Sequence, residues 1–232
     1  IGNIARFPLR LARLFGGAVV GRYDLYHFNL ASRGSTLRKV LYSLSLRAFG
    51  RRYVIHLHGA LFREFYGGLS PFLRRRVRSF FVHADKVIVL GNVWKEFVTR
   101  EVGVPADRVV ILANAVAGPE APPERSAQDL PKLLFLGRLG DRKGVPELLD
   151  ALARPEMAGL EWTATIAGDG DVDIYRRRAE ELGLTGRVDF PGWVDGAQVA
   201  ALLQASNVLV LPSHAENLPL SMLEGMGYGL CP

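Results

Sequence analysis

Short apolar runs recur along the chain with stretches of helical spacing between them, and this alternation restricts the fold more than any other feature of the sequence. "DLYHFN" (24–29), "YVIHLH" (53–58), "KVIVLG" (86–91) and "RVVILAN" (108–114) have the apolar character of buried strands. So do "KLLFLG" (132–137), "WTATIAG" (162–168), "RVDF" (187–190) and "NVLVLP" (207–212). Helical spacing fills 35–49, 70–83 and 92–101 in the first series, and 144–153, 172–182, 196–205 and 218–226 in the second. Apolar strands that alternate with helices predict parallel sheets covered on both faces.

The two series part at "AVAGPEAPPERSAQDLPK" (115–132), which holds four prolines and no hydrophobic periodicity and is therefore expected to be exposed. The predicted organisation is α/β, with two Rossmann-like domains facing a cleft: residues 1–116, a linker over 117–131, and residues 132–232.

Charge divides along the same line. Residues 1–129 carry 20 Lys and Arg against 9 Asp and Glu, whereas residues 130–232 carry 9 against 14. A basic half suits an anionic partner, whether membrane surface, phosphorylated ligand or nucleic acid, and a merely solvated basic surface explains it as well. Nucleic acid is not expected, because the cations lack interleaved aromatic platforms for stacking bases. No tract reaches the roughly 18 uninterrupted apolar residues of a spanning helix. The single cysteine, Cys231, leaves no intramolecular disulfide and fits a reducing compartment. There is no initiating Met and residues 1–21 lack the layout of a signal peptide, so the N-terminus is expected to be a cut rather than a natural start; the reducing compartment fits an expected cytoplasmic location.

Ligands of doubly wound sheets sit beyond the carboxyl ends of the strands, so the residues that follow each strand are the candidates. "GRLGDRKG" (137–144) sets Arg138 and Lys143 on a glycine-rich turn, which suits a diphosphate or is simply a basic turn. "AGDGD" (167–171) includes Gly168 and would let backbone approach a ligand, or form a tight turn with Asp171 as a helix cap. In "HAENLPLSMLEGMGYGLCP" (214–232), Asn217 is the expected N-cap of a helix over Leu218–Met226, with Pro219 in its first turn. Such a helix start is an anion site, with Glu216 ahead of it and Glu224 nearly two turns inside. The two acids are expected to reach different parts of an elongated ligand, or else to be ordinary surface acids. His58 ends a strand of the first series, and only one of His56 and His58 is expected to face the ligand side.

"GRLGDRKG", "IAGDG" and "AENLPLSMLE", in that order at successive strand ends, resemble the retaining family-4 glycosyltransferases of GT-B fold, with their Glu-x7-Glu signature at Glu216 and Glu224. "DLYHFNLASRGSTLRK" and "HLHGALFREFY" resemble the first domain of bacterial members that build capsules, exopolysaccharides or lipopolysaccharides. The resemblance implies that Arg138 and Lys143 hold the donor diphosphate, that Glu224 bonds the ribose and that Glu216 faces the transferred sugar. It further implies a contribution from His58, contact of the base with backbone near Trp193 and Val194, phosphates at Asn217 and Leu218, and a first domain ending near Asn114. No metal or cofactor is implied beyond the nucleotide-sugar co-substrate. Members also have a first strand with a glycine-rich loop, and a strand and closing helix beyond "GLCP", so the chain is expected to be the central stretch of a longer enzyme.

The partners implied are a nucleotide-sugar donor and a glycan or lipid-linked acceptor, with transfer at the inner face of the plasma membrane. "LSPFLRRRVRSFFVHA" (69–84) places Leu73, Val77, Phe80, Phe81 and Ala84 on one helical face, with Arg74, Arg75 and Arg78 largely elsewhere. Together with "FPLRLARLF" (7–15), it could rest the basic domain on anionic lipid. Two other functions fit the same pattern: a nucleotide-sugar epimerase of this architecture, and a non-catalytic membrane-associated binding protein.

Overall fold

The structure, a computed structural model, describes residues 7–125 and 130–231. Residues 126–129 of the expected linker lie outside that set, as do the side chains of Phe7, Pro8, Arg10 and Leu11. The chain divides into two compact units, residues 1–113 and 114–232.

In the first unit, α1 (Phe7–Val19) precedes β1 (Leu25–Leu30), α2 (Gly34–Ala48) and β2 (Arg52–Leu57). Then come α3 (Phe62–Gly67), α4 (Pro71–Val82), β3 (Lys86–Val89), α5 (Asn92–Phe97) and β4 (Val109–Ile111). All neighbouring strands are parallel, in the order β1-β2-β3-β4. A chain that steps always in one direction through right-handed crossovers leaves its helices on one face. The core follows that geometry. Phe28, Leu30, Tyr53, Ile55, Leu57, Val87 and Val89 pack with Val40, Leu46, Val77, Phe80, Phe81 and Phe97 of the helices. The alternate strand residues Leu25, His27, Asn29, Val54, His56 and Ile88 are exposed or half-buried. Among the described residues, this sheet is covered on one face and not on the two expected from its composition.

The helix over 71–82 corrects the expected lipid-facing role of this segment. Val77, Phe80, Phe81 and Ala84 lie in the core, so the apolar face is not available to a membrane. The sequence shows the stripe but not what covers it.

The second unit runs β5 (Lys132–Leu136), α6 (Val145–Leu152), a short helix α7 (Pro155–Ala158), β6 (Thr163–Ala167), α8 (Val172–Glu181) and β7 (Val188–Gly192). It ends with α9 (Gly196–Ala205), β8 (Val208–Leu209) and α10 (Leu220–Gly227). Strand order is β7-β6-β5-β8, all parallel. Here the chain steps one way from β5 to β7 and then returns to the other side of β5. Both faces are consequently filled. Leu133 and Phe135 of β5 pack with α6 and α8, while Leu134 and Leu136 join Leu203, Leu209 and Leu230 on the opposite side. Strand β7 begins and ends later than the pattern predicted, and β8 is only two residues long.

The proline-rich segment has a fixed course at its described end. Arg125 donates to the carbonyls of Leu203, Ser206 and Tyr228 at 3.1, 2.7 and 2.8 Å. These carbonyls close α9 and α10, where a cation meets both orphan acceptors and the negative end of the helix dipole.

Candidate active site

The strand order reverses between β5 and β8, and the crevice beyond that reversal is where an open α/β sheet binds ligands. A cavity of about 480 Å³ lies there. Arg138, Lys143, Gly168, Trp193, Val194, Glu216 and Glu224 all line it, so most of the predicted site converges in one place. Pro219, expected in the first helical turn, lines it too, as do Asp169, Leu220 and Ser221, which lie inside strand-end motifs without being among the predicted site residues.

Glycine-permitted contacts bring the loops together. Gly168 (φ 149°) and Gly170 (φ 109°) lie so close to the carbonyls of Gly137 and Leu139 that any Cβ there would collide with them. Leu139 N donates to Asp169 O at 2.7 Å across the same junction. Gly144 (φ 70°) packs against the Pro212 carbonyl with equal lack of room. The β5 and β8 loops are joined further by His214 N to Arg142 O at 3.1 Å and by Arg142 Nη1 to Ala215 O at 3.3 Å. His214 also bonds Glu147 at 2.9 Å.

Lys143 sits at the end of a 3-10 turn, Asp141–Lys143, that is braced from below. Tyr175 donates to Asp141 Oδ1 at 2.9 Å. Burial, and then the bond to Asp141, push the tyrosine hydroxyl up to about 12, so it remains a donor. From this turn Lys143 folds back over Gly137 and meets Glu216 at 2.5 Å. That pair is largely enclosed, with side-chain exposures of 16% and 23%. Arg138, by contrast, makes no hydrogen bond or ion pair among the described residues and is exposed.

The helix start differs from its prediction. α10 begins at Leu220 with Pro219 as N-cap at φ −70°, ψ 130°, not at Leu218 with Asn217 as cap. Proline disfavours helical geometry in the residue before it, which keeps Leu218 out of the helix. Asn217 and Leu218 therefore do not line the cavity; Leu218 O instead accepts from Asn114 Nδ2 at 2.7 Å. Leu220 and Ser221, the first residues of α10 and so without intrahelical acceptors for their N–H groups, do line it. Trp193, 72% exposed, also lines the cavity.

His58 belongs to the first unit, directly after β2. It is not set apart from His56: their rings are 3.9 Å apart, and His27 stacks on His56 at 5.6 Å. Residues two apart on a strand share a face, so the expected separation of the pair was wrong. Burial, then the neighbouring histidines, hold His56 down to about 4, and burial and His27 lower His58. The His56 ring is therefore neutral near pH 7. Among the described residues no group of three His, Cys, Asp or Glu could hold a metal ion.

Known proteins share both the sequence and this architecture. Residues 3–115 match the family described as Glycosyl transferase 4-like domain, and residues 119–232 match Glycosyl transferases group 1. A lipopolysaccharide 1,6-galactosyltransferase of Salmonella typhimurium is 32% identical over 157 residues, which is 64% of this chain and 42% of that protein. Among solved structures, a sucrose-phosphate synthase from Thermosynechococcus elongatus superposes with a TM-score of 0.72 at 23% identity, over 97% of this chain and 59% of the other. A lipopolysaccharide outer core galactosyltransferase superposes with a TM-score of 0.67 at 22% identity, over 98% and 60%. The chain thus spans about half the length of the relatives it matches. With one family match on each unit and GT-B structures as its neighbours, the chain belongs to the group 1 glycosyltransferases of GT-B fold.

Proposed function

We propose that the protein transfers a sugar from a nucleotide-sugar donor to a glycan or lipid-linked acceptor, with retention of anomeric configuration. One observation carries the reading: Arg138, Lys143 and the start of α10 surround a single cavity at the switch point of the second sheet. Cleaving a sugar–phosphate bond leaves positive charge on the sugar and negative charge on the departing diphosphate. Fixed cations and helix N–H groups stabilise that negative charge as it develops, and they need no reorganisation at the moment of reaction. Arg138 suits forked bonding to phosphate oxygens and Lys143 acts as a point charge. Gly168 lets the backbone approach, Trp193 and Val194 meet the base, Glu224 bonds the ribose and Glu216 lies on the sugar side. His58 is assigned a contribution from the first unit. The reading requires no metal. The lipopolysaccharide transferase among the relatives favours a cell-envelope acceptor.

The test is a panel of nucleotide sugars offered to the full-length protein, with and without acceptor, while nucleotide release is followed. Lys143→Ala should lower transfer by roughly 10²–10³-fold. Unchanged rates would remove the reading, and donor conversion without acceptor would identify an epimerase instead.

For the membrane, α1 and α2 replace α4 as the candidate surface. Residues 7–51 hold eight Lys and Arg and one acid. Leu37, Leu41 and Leu44 form a stripe on α2 that is 36%, 48% and 40% exposed, and Phe15 of α1 packs edge-on against Phe49 at 5.2 Å. An exposed apolar stripe amid cations suits an anionic bilayer surface at the cytoplasmic side. Among the described residues no helix is long and apolar enough to cross a membrane. Leu41→Glu with Leu44→Glu should reduce retention on anionic vesicles; unchanged retention would refute this surface.

A further inference from the structure

The ion pair between Lys143 and Glu216 has a role separate from any contact either residue makes with sugar. Resting on the donor site proposed above, we infer that Glu216 is a built-in competitor for the diphosphate: its carboxylate occupies the lysine that the incoming phosphate must use, and only a strongly anionic ligand displaces it.

Three features support this. The cavity has two cations, Arg138 and Lys143, and the structure gives an anionic partner to Lys143 alone. A carboxylate and a phosphate oxygen are alike in charge and in hydrogen-bonding to an ammonium, so Glu216 satisfies Lys143 as a phosphate would. The enclosure of the pair makes the exchange consequential, because a lysine left without an anion there would be poorly solvated.

The loops that carry the pair do not depend on it. They are held by the Gly144–Pro212 contact, the His214–Arg142 backbone bond, the Arg142–Ala215 bond and the His214–Glu147 bond. Opening therefore needs only side-chain rotation: Glu216 swings off Lys143, the ammonium turns to the phosphates, and the freed carboxylate faces the sugar side of the cavity. After transfer the reverse movement restores the pair and helps to expel the nucleoside diphosphate. A ligand carrying a single negative charge gains less from Lys143 than it must overcome, so the pair also selects for a diphosphate.

Binding of inorganic pyrophosphate and of UDP to the full-length protein, measured by calorimetry, tests this without acceptor or turnover. If the closed pair predominates in the free protein, apparent affinity is reduced by the small open fraction. Glu216→Gln should then tighten pyrophosphate roughly three- to tenfold while slowing release of UDP. Glu224→Gln, which removes an equal charge from the same cavity but no ion pair, should change affinity less. The effect of Glu216→Gln should vanish in a Lys143→Met background, where no competition exists. Equal tightening by both glutamine variants, or tightening that survives Lys143→Met, would reduce the effect to general charge and overturn the inference. Weaker binding in Glu216→Gln would overturn it as well. If the wild-type protein binds neither probe, the donor site itself fails and the inference with it. If the wild type binds and Arg138→Ala weakens it but Glu216→Gln has no effect, the donor site stands and the competitor is refuted.

Discussion

The two sheets have four parallel strands each and the same strand–helix alternation, yet they make different surfaces. The first steps in one direction, buries one face and leaves His27, His56 and Ile88 on a side that no described helix covers. The second reverses at β5, fills both faces and opens a ligand-sized cavity where the loops diverge. Strand chemistry does not separate them. The order in which the strands are laid down does, since only a reversal splits neighbouring loops to opposite sides and leaves a crevice.

That contrast predicts independent consequences of damage. The largest expected effect is in the first core, where Phe80 is fully buried, stacks on Tyr53 and meets Phe28 and Phe81 edge-on. Phe80→Ala should cost about 3–5 kcal/mol there, seen as a lowered first unfolding transition, while pyrophosphate binding by surviving native protein is unchanged. Loss of binding in step with stability would mean that the units are not separable. Gly168→Ala should do the opposite. The new methyl cannot fit against the Gly137 carbonyl, so a cost of about 2–4 kcal/mol falls on the second unit and pyrophosphate binding is lost. A variant that binds normally would show that the loop junction does not shape the site.

The smallest effect concerns pH. His56 is held near 4 in the folded chain, below its unfolded value of 6.5, so the unfolded state binds more protons between those values. Stability from this source is fully present above pH 6.5 and declines as pH falls toward 4. The first unit should therefore lose thermal stability over that range more steeply than the second, and His56→Gln should flatten the difference. A slope unaltered by His56→Gln would assign the pH response to other groups.

Much of the candidate site was legible because it is local. Arg138, Lys143, Gly168, Glu216 and Glu224 belong to strand-end motifs, and strand ends follow from apolar periodicity. α10 starts two residues beyond the position that a capping preference for Asn217 predicts, because Pro219 restricts Leu218 to non-helical geometry. The shared side of His56 and His58 follows from strand periodicity, which places residues two apart on one face. The role of Arg125 was hidden differently: its acceptors on α9 and α10 lie 78 to 103 residues away.

By itself the sequence determined the parallel α/β character, the alternation of strand and helix, and which side chains gather at the carboxyl ends of the strands. These depend on residue spacing over a few positions, where backbone geometry dictates direction. Only the tertiary structure decided that, among the described residues, one sheet has a face that no helix covers, that the stripe on α4 is core while the one on α2 is surface, and that Lys143 meets Glu216 across 73 residues of chain. Such outcomes depend on which distant segments become neighbours, and local periodicity carries no information about that.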